Sequence, residues 1–170
     1  YDIAPDGREK LMMLLGKGDI FPLIWSVSKS LSKVYFYEVF DDADVCVIRI
    51  DEFVYLIDSD HTITKQVLRY FINQSSELML RIECVEASSA KHKVSRVLEY
   101  VATAHGKKLD EDTYEINLEL TQQTIANMAG ITRETTSIQM QELYESGLVS
   151  TSSGKMIIHM DKVTELNEEE

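Results

Sequence analysis

The longest unbroken pattern of apolar and polar positions covers residues 61–87, where neither proline nor glycine occurs. Val67, Phe71, Leu78 and Ile82 recur at spacings of four, seven and four, which places them on one face of an α-helix. At about 1.5 Å per residue, some 25 residues would span roughly 38 Å. Such a helix either packs on its own domain or pairs with its twin. We favour the second interpretation, with these four residues at a homodimer interface.

Residues 1–60 show the shorter period of β-structure. The runs 34–40 and 45–50 are rich in aromatic and β-branched residues, and a charged turn separates them. Pro5-Asp6-Gly7 and Gly18-Asp19 are turn signals. The pattern predicts strands of a small roll or sandwich, but too few to close it. Since the chain opens at Tyr1 and not at a methionine, we expect N-terminal strands to be missing from it.

Residues 88–170 return to a helical period and include one hairpin. Ser88-Ser89 can cap a helix, and Gly106 ends it. The inner face of this helix is predicted to carry Val94, Val97, Leu98 and Val101. Residues 114–120 alternate as a short strand.

Residues 120–149 predict a helix-turn-helix motif. Thr121 can cap a first helix, and Gly130 supplies the left-handed corner that stops it. Thr132 then caps a second helix over residues 132–146, which Gly147 ends. Helices of this arrangement pack closely and present the second helix outward. The inward positions are Ile125, Met128, Thr136, Met140 and Leu143.

The outward face of the second helix opens with Arg133, Glu134 and Ser137. Arginine pairs with guanine through two hydrogen bonds, and glutamate accepts a hydrogen bond from cytosine N4. These residues stand at the helix N-terminus, which is the end that contacts base edges in the major groove. A hairpin, or wing, is predicted after this helix, and Lys155 at its tip could contact phosphate.

The charge of the chain limits how it could bind nucleic acid. Seventeen Lys and Arg against 29 Asp and Glu give a net charge of −12, which excludes a protein that coats DNA by bulk charge. DNA binding would need the cations sorted onto one face of residues 88–170. The candidates for that face are Lys91, Lys93, Arg96, Arg133 and Lys155.

With these motifs in place, the chain resembles the Crp/Fnr family of bacterial transcription regulators. The run from Leu120 to Thr135 carries the resemblance. It implies an α+β chain with the end of a β-roll (jelly-roll) effector domain at 1–60, a dimerisation helix at 61–87 and a winged helix-turn-helix domain at 88–170. A homodimer would bind a palindromic operator and act on transcription by contacting or blocking RNA polymerase. Arg133 and Glu134 would then read bases, and phosphate would be contacted by Thr121, Gln122, Gln123 and Thr132.

The family's usual third base reader, an arginine one turn after Glu134, is replaced here by Ile138. Isoleucine cannot hydrogen-bond guanine, but it can contact a thymine methyl group. We therefore expect a target that differs from the common family half-site.

The effector region departs further from the cyclic-nucleotide-binding members of the family. Pro22 and Leu23 stand where those members have Gly-Glu, and Lys33 and Val34 stand where they have Arg-Ser. The carboxylate for ribose and the hydroxyl for phosphate are thus absent, and a lysine lacks the arginine fork. We expect no cyclic nucleotide. An apolar ligand pocket or a filled core without a ligand both stay open, so any small-molecule effector is unknown.

Other classes of protein find less support. Cys46 and Cys84 are far apart and the four histidines are scattered, so no metal site or cofactor is predicted. No paired acid and base indicates an enzyme. The apolar runs are too short to span a membrane and no secretion leader is visible, so a cytoplasmic location is expected. The alternative function is a winged-helix module that binds a protein and not DNA.

Overall fold

The computed structural model describes residues 1–7, 9–23 and 35–168, and it combines helices with antiparallel sheets. The helices in these residues are α1 (Ile50–Ser59), α2 (His61–Glu86), α3 (Ala90–His105), α4 (Gln122–Ala129), α5 (Arg133–Glu145) and α6 (Met160–Glu168). The strands are β1 (Asp2–Ile3), β2 (Glu9–Lys10), β3 (Lys107–Lys108), β4 (Thr113–Ile116), β5 (Val149–Ser152) and β6 (Lys155–His159). The predicted α+β class is confirmed, as are the long central helix and the winged helix-turn-helix.

The chain forms two compact units. The C-terminal unit consists of Tyr1–Met13 and Glu77–Glu170, and the middle unit is Leu14–Ser76. The predicted helix at 61–87 agrees with α2 to within one residue. The predicted domain at 1–60 does not coincide with a unit, because residues 1–13 belong with the C-terminal part of the chain.

The core of the C-terminal unit lies around α3. Its predicted inner residues Val94, Val97, Leu98 and Val101 are fully buried, and α3 packs against α4, α5 and α6. A four-stranded antiparallel sheet of order β3-β4-β6-β5 covers one side. Its strands are in register at Tyr114 with Ile158 and at Val149 with Ile158.

The N-terminal hairpin explains why residues 1–13 join this unit. β1 pairs with β2 around the predicted turn, where Gly7 takes a φ of 83°. Beyond β2, the Leu11 N–H donates to the Asn127 carbonyl of α4 at 3.3 Å. The guanidinium of Arg81 also donates to the Leu11 carbonyl at 2.8 Å. Hydrogen bonds formed 70 or more residues apart are not visible in the local pattern from which the domain was predicted.

In the middle unit, the prediction of strands at 34–40 and 45–50 is wrong for the residues described, because 35–49 carry no strand. A strand needs a partner for its backbone groups, and the pattern of one run does not supply that partner. The sequence reasoning also missed α1. Its Phe53, Leu56 and Ile57 are half-buried at helical spacing, and Asp51 lies in the first turn, where the helix dipole favours an acid.

The start of α2 is fixed by Asp60. Its carboxylate accepts hydrogen bonds from the backbone N–H groups of Thr62 and Ile63 at 2.7 and 3.3 Å. These bonds lower the pKa of Asp60, since they stabilise the ionised carboxylate. The long helix therefore begins at a defined residue directly after α1.

Candidate nucleic-acid interface

The first helix of the motif, α4, is capped by Thr121 as predicted. Thr121 Oγ1 accepts a hydrogen bond from the Thr124 N–H at 3.0 Å, and the two hydroxyl groups lie 2.8 Å apart. Ile125 and Met128 are buried, in agreement with the sequence analysis. The cap holds the N-terminus of α4 at the surface, with Thr121, Gln122 and Gln123 exposed.

The corner between the two helices depends on Gly130. Its φ of 68° and ψ of 29° lie in the left-handed region that favours glycine. The N–H groups of Gly130 and Ile131 both donate to the Ala126 carbonyl, at 2.9 and 3.2 Å. This corner closes α4 and sets the direction in which α5 begins.

The second helix, α5, repeats the cap of the first. Thr132 Oγ1 accepts from the Thr135 N–H at 3.2 Å, and the two hydroxyl groups are 3.0 Å apart. Thr136, Met140 and Leu143 are buried as predicted. Both helices thus begin at the surface with a pair of threonine hydroxyl groups.

Five exposed or half-exposed side chains line one shallow, open depression beside α5: Gln122, Arg133, Glu134, Ser137 and Ile138. The structure therefore brings together all four residues that were predicted to read bases. Gln122, which was predicted to contact phosphate, lies among them. Gln123 is occupied differently, because its side-chain amide donates to Asn127 Oδ1 at 2.7 Å.

The wing is formed by β5 and β6. Ser153 and Gly154 connect them with φ angles of 50° and 78°, as a two-residue hairpin requires. Lys155 follows this turn, but its Nζ donates to Glu115 Oε1 at 3.0 Å and to Asn117 Oδ1 at 2.6 Å. The hydrogen bond from Lys155 lowers the pKa of Glu115. Lys155 would have to exchange these partners to contact phosphate, which local sequence could not reveal.

A second predicted cation, Arg96, also has acidic partners in the C-terminal unit. Arg96 forms ion pairs with Glu99 at 3.4 Å and with Glu83 at 3.9 Å. Two of the five predicted cations, Arg96 and Lys155, therefore have acidic partners. These two side chains are therefore less available to a phosphate than the sequence alone suggested.

Sequence reasoning missed Arg81, a buried residue that donates a hydrogen bond to the last turn of α4. Its side chain is 5% exposed, and Nη2 donates to the carbonyls of Leu11 and Met128 at 2.8 and 3.0 Å. Its Cζ lies 5.5 Å from the centroid of the Tyr100 ring. Met128 is in the last turn of α4, where a cation interacts favourably with the helix dipole. An arginine between Leu80 and Ile82 was the available signal.

Most of the residues of α2 that were predicted to form a dimer interface are exposed. Phe71, Leu78 and Ile82 are between 36% and 49% exposed, whereas Val67 is half-buried. Exposed positions also follow a seven-residue repeat with alternating spacings of three and four: Leu68, Phe71, Ser75, Leu78, Ile82 and Val85. This repeat is typical of a helix that pairs with another helix.

The remaining predicted sites are only partly described. Leu23 is buried, and Pro22 precedes it in an exposed turn, whereas Lys33 and Val34 lie outside the described residues. Within 1–7, 9–23 and 35–168, no cluster of three or more His, Cys, Asp or Glu could hold a metal ion. In the same ranges, every helix is too short or too polar to cross a membrane.

Comparison with known proteins places this geometry in a class. Residues 92–168 match the family model of the Crp-like helix-turn-helix domain. The HTH-type transcriptional regulator ArcR of Staphylococcus epidermidis is 38% identical over 72 residues, which are 42% of this chain and 31% of that protein. The match thus spans less than a third of the curated relative.

Solved structures share the fold over a larger part of the chain. A CooA mutant from Carboxydothermus hydrogenoformans aligns with a TM-score of 0.56 and 18% identity, covering 69% of this chain and 55% of that one. FixK2 from Bradyrhizobium japonicum aligns with a TM-score of 0.56 and 13% identity, covering 71% and 59%. The domain match and the shared fold define a Crp-like helix-turn-helix domain at residues 92–168. Residues 92–168 are thus similar to the Crp-like helix-turn-helix domain, and the predicted resemblance to the Crp/Fnr family is confirmed.

Proposed function

We propose that this chain binds duplex DNA sequence-specifically as a homodimer and thereby regulates transcription in the bacterial cytoplasm. The observation that carries the proposal is the depression beside α5, where Arg133, Glu134, Ser137 and Ile138 come together at the start of an exposed helix. Arg133 can donate two hydrogen bonds to guanine, and Glu134 can accept one from cytosine N4. An enzymatic role has no part in this proposal.

Phosphate contacts would come from the two helix N-termini. Thr121, Gln122 and Gln123 at α4 and Thr132 at α5 offer hydroxyl, amide and backbone N–H donors, which commonly position a protein on the duplex. Lys155 joins them only if it leaves Glu115 and Asn117. Because Arg96 and Lys155 are paired with carboxylates, the uncharged donors would carry a larger share of the phosphate contacts.

The homodimer would form along α2. Leu68, Phe71, Leu78, Ile82 and Val85 would meet their counterparts in the partner, with Val67 at the edge of the contact. A two-fold dimer presents two copies of α5, so the operator is expected to be palindromic with half-sites separated by about one helical turn. Contact with RNA polymerase is a further part of this proposal, and it leaves activation and repression open.

The effector region is proposed to bind no cyclic nucleotide. Pro22 and Leu23 provide no carboxylate for a ribose hydroxyl, and Leu23 is buried. Two alternatives stay open: an unknown apolar small molecule acts as the effector, or the core is filled and binds no ligand.

Selection of duplexes from a random pool would test the proposal. We expect the full chain to enrich a palindrome, and the Arg133→Ala variant to lose the preference at one position in each half-site. Arg49→Ala is the matched control, since Arg49 is exposed and its loss changes the charge equally. Enrichment that is absent at low salt, or equally sharp for Arg133→Ala, would contradict sequence reading by α5.

A protein-interaction module without DNA binding is the second candidate, and the exposure of Ile138 is the observation that favours it. The two differ in their response to salt. Specific DNA binding weakens steeply as salt rises, because counterions released from the duplex oppose it, whereas an apolar protein contact does not.

A further inference from the structure

Ile138 is an exposed apolar side chain among polar ones. It is 59% exposed, and it lines the depression together with Gln122, Arg133, Glu134 and Ser137. The other apolar residues of α5 that point inward, Met140 and Leu143, are buried. Packing of the domain therefore does not require an isoleucine at this position.

The chemistry of the major groove offers one natural partner for such a side chain. The base edges there carry hydrogen-bond donors and acceptors, and the C5-methyl group of thymine is the apolar group among them. A β-branched side chain in a helix is nearly restricted to one rotamer, so Ile138 loses little freedom on contact. An isoleucine that faced a guanine or a cytosine would leave the polar edge of that base without a partner.

The position of Ile138 limits which base pair it can reach. It lies four residues after Glu134, or about 6 Å along the helix axis. Base pairs stack at about 3.4 Å, so a displacement of this length spans at most about two base-pair steps, whatever the angle between the helix and the DNA axis. The pair contacted by Ile138 should thus lie within about two steps of the pair contacted by Glu134.

We propose that Ile138 is a specificity-determining residue that reads the C5-methyl group of a thymine in each half-site. This inference rests on the proposed DNA-binding function and adds a preference for an A·T pair at that position. Arg133 and Glu134 read polar edges by hydrogen bonds, whereas Ile138 reads a methyl group by contact.

A thymine-to-uracil scan would test the inference, since this exchange deletes only the C5-methyl group. Duplexes built on the selected operator are titrated with the full chain by fluorescence anisotropy. We expect one thymine per half-site whose replacement weakens binding about fourfold, the effect of burying one methyl group. Ile138→Ala should bind thymine and uracil duplexes equally at that position. Leu109→Ala, an exposed apolar residue in the loop between β3 and β4, should keep the difference.

A second variant tests the same position by gain of a preference. Ile138→Arg should shift the selected base at that position from thymine to guanine, because arginine donates two hydrogen bonds to guanine O6 and N7. Because position 138 is exposed, the Ile138→Arg variant should fold normally and keep the circular dichroism spectrum of the original chain.

The outcomes separate the two proposals. An operator that depends on Arg133 but shows no uracil effect at any position, or the same effect in Ile138→Ala, would overturn the role of Ile138 and leave DNA binding intact. If no operator is enriched, or if Arg133→Ala selects the same operator, the proposed function fails and this inference fails with it.

Discussion

Replacing Arg81 by methionine should weaken the C-terminal unit and release the N-terminal segment from α4. Methionine keeps the unbranched stem of the side chain, so packing against Tyr100 is largely retained. It removes the guanidinium that donates to the carbonyls of Leu11, Met12 and Met128. The variant therefore isolates the buried charge and its hydrogen bonds.

The magnitude follows from what each carbonyl can do afterwards. Leu11 and Met12 are half-buried and exposed, so water can replace the lost donor there. Met128 is 1% exposed, so its carbonyl stays without a partner at a cost of about 1–3 kcal/mol. Loss of the cation–π attraction between the guanidinium and the Tyr100 ring adds roughly 1 kcal/mol. Burying the guanidinium is itself unfavourable, and one buried nitrogen, Nη1, has no hydrogen-bond partner, so relief of this cost offsets part of the loss. We expect a net decrease of about 2–3 kcal/mol in the free energy of unfolding.

Urea unfolding followed by circular dichroism measures this change, and amide hydrogen exchange at Leu11 locates it. The control is Arg69→Met, because Arg69 is exposed on the same helix and its replacement should change stability by less than about 0.5 kcal/mol. If Arg81→Met and Arg69→Met unfold alike, and Leu11 exchanges as slowly as before, the buried cation does not hold these segments together.

Three further changes should have defined effects. Gly130→Ala should cost about 1–2 kcal/mol through its backbone alone, since a Cβ there meets nothing within 4 Å, and Gly130→Asn should cost less in urea unfolding. Burial raises the pKa of the Cys84 thiol, so the folded form holds this proton more tightly than the unfolded form. The contribution of the thiol to the free energy of unfolding should be fully present below about pH 8.5 and should decline above it. Cys84→Ala should flatten that decline. Glu115→Gln removes the ionic partner of Lys155, so we expect tighter operator binding and a salt dependence steeper by about one phosphate contact in anisotropy titrations. An unchanged slope would show that Lys155 does not reach phosphate.

The helix-turn-helix could be predicted in detail because its signals are local. Thr121 and Thr132 are caps whose partners lie three residues away, and Gly130 lies at a corner that few other residues tolerate. Each of these features is decided within one turn of helix. The residues that line the depression then follow from the helical period.

The features that could not be predicted depend on residues far apart in sequence. Residues 35–49 have the composition of strands, but a strand requires pairing that composition does not supply. Lys155 looked available until the sheet brought Glu115 and Asn117 of a distant segment beside it. Arg81 meets carbonyls 70 and 47 residues away, so its role became visible only in the folded unit.

The buried hydrogen bonds that join Arg81 to Leu11 and Met128 have a practical consequence for protein engineering. To transfer the helix-turn-helix domain to another protein, a designer would cut the gene before Ser88, where the sequence predicts a domain boundary. Such a chimaera would lack Arg81 and Leu11. The carbonyl groups of Met128 and Asn127 in α4 would then lose their hydrogen-bond donors. The transferable part is the discontinuous body made of Tyr1–Met13 and Glu77–Glu170, so a workable graft has two junctions.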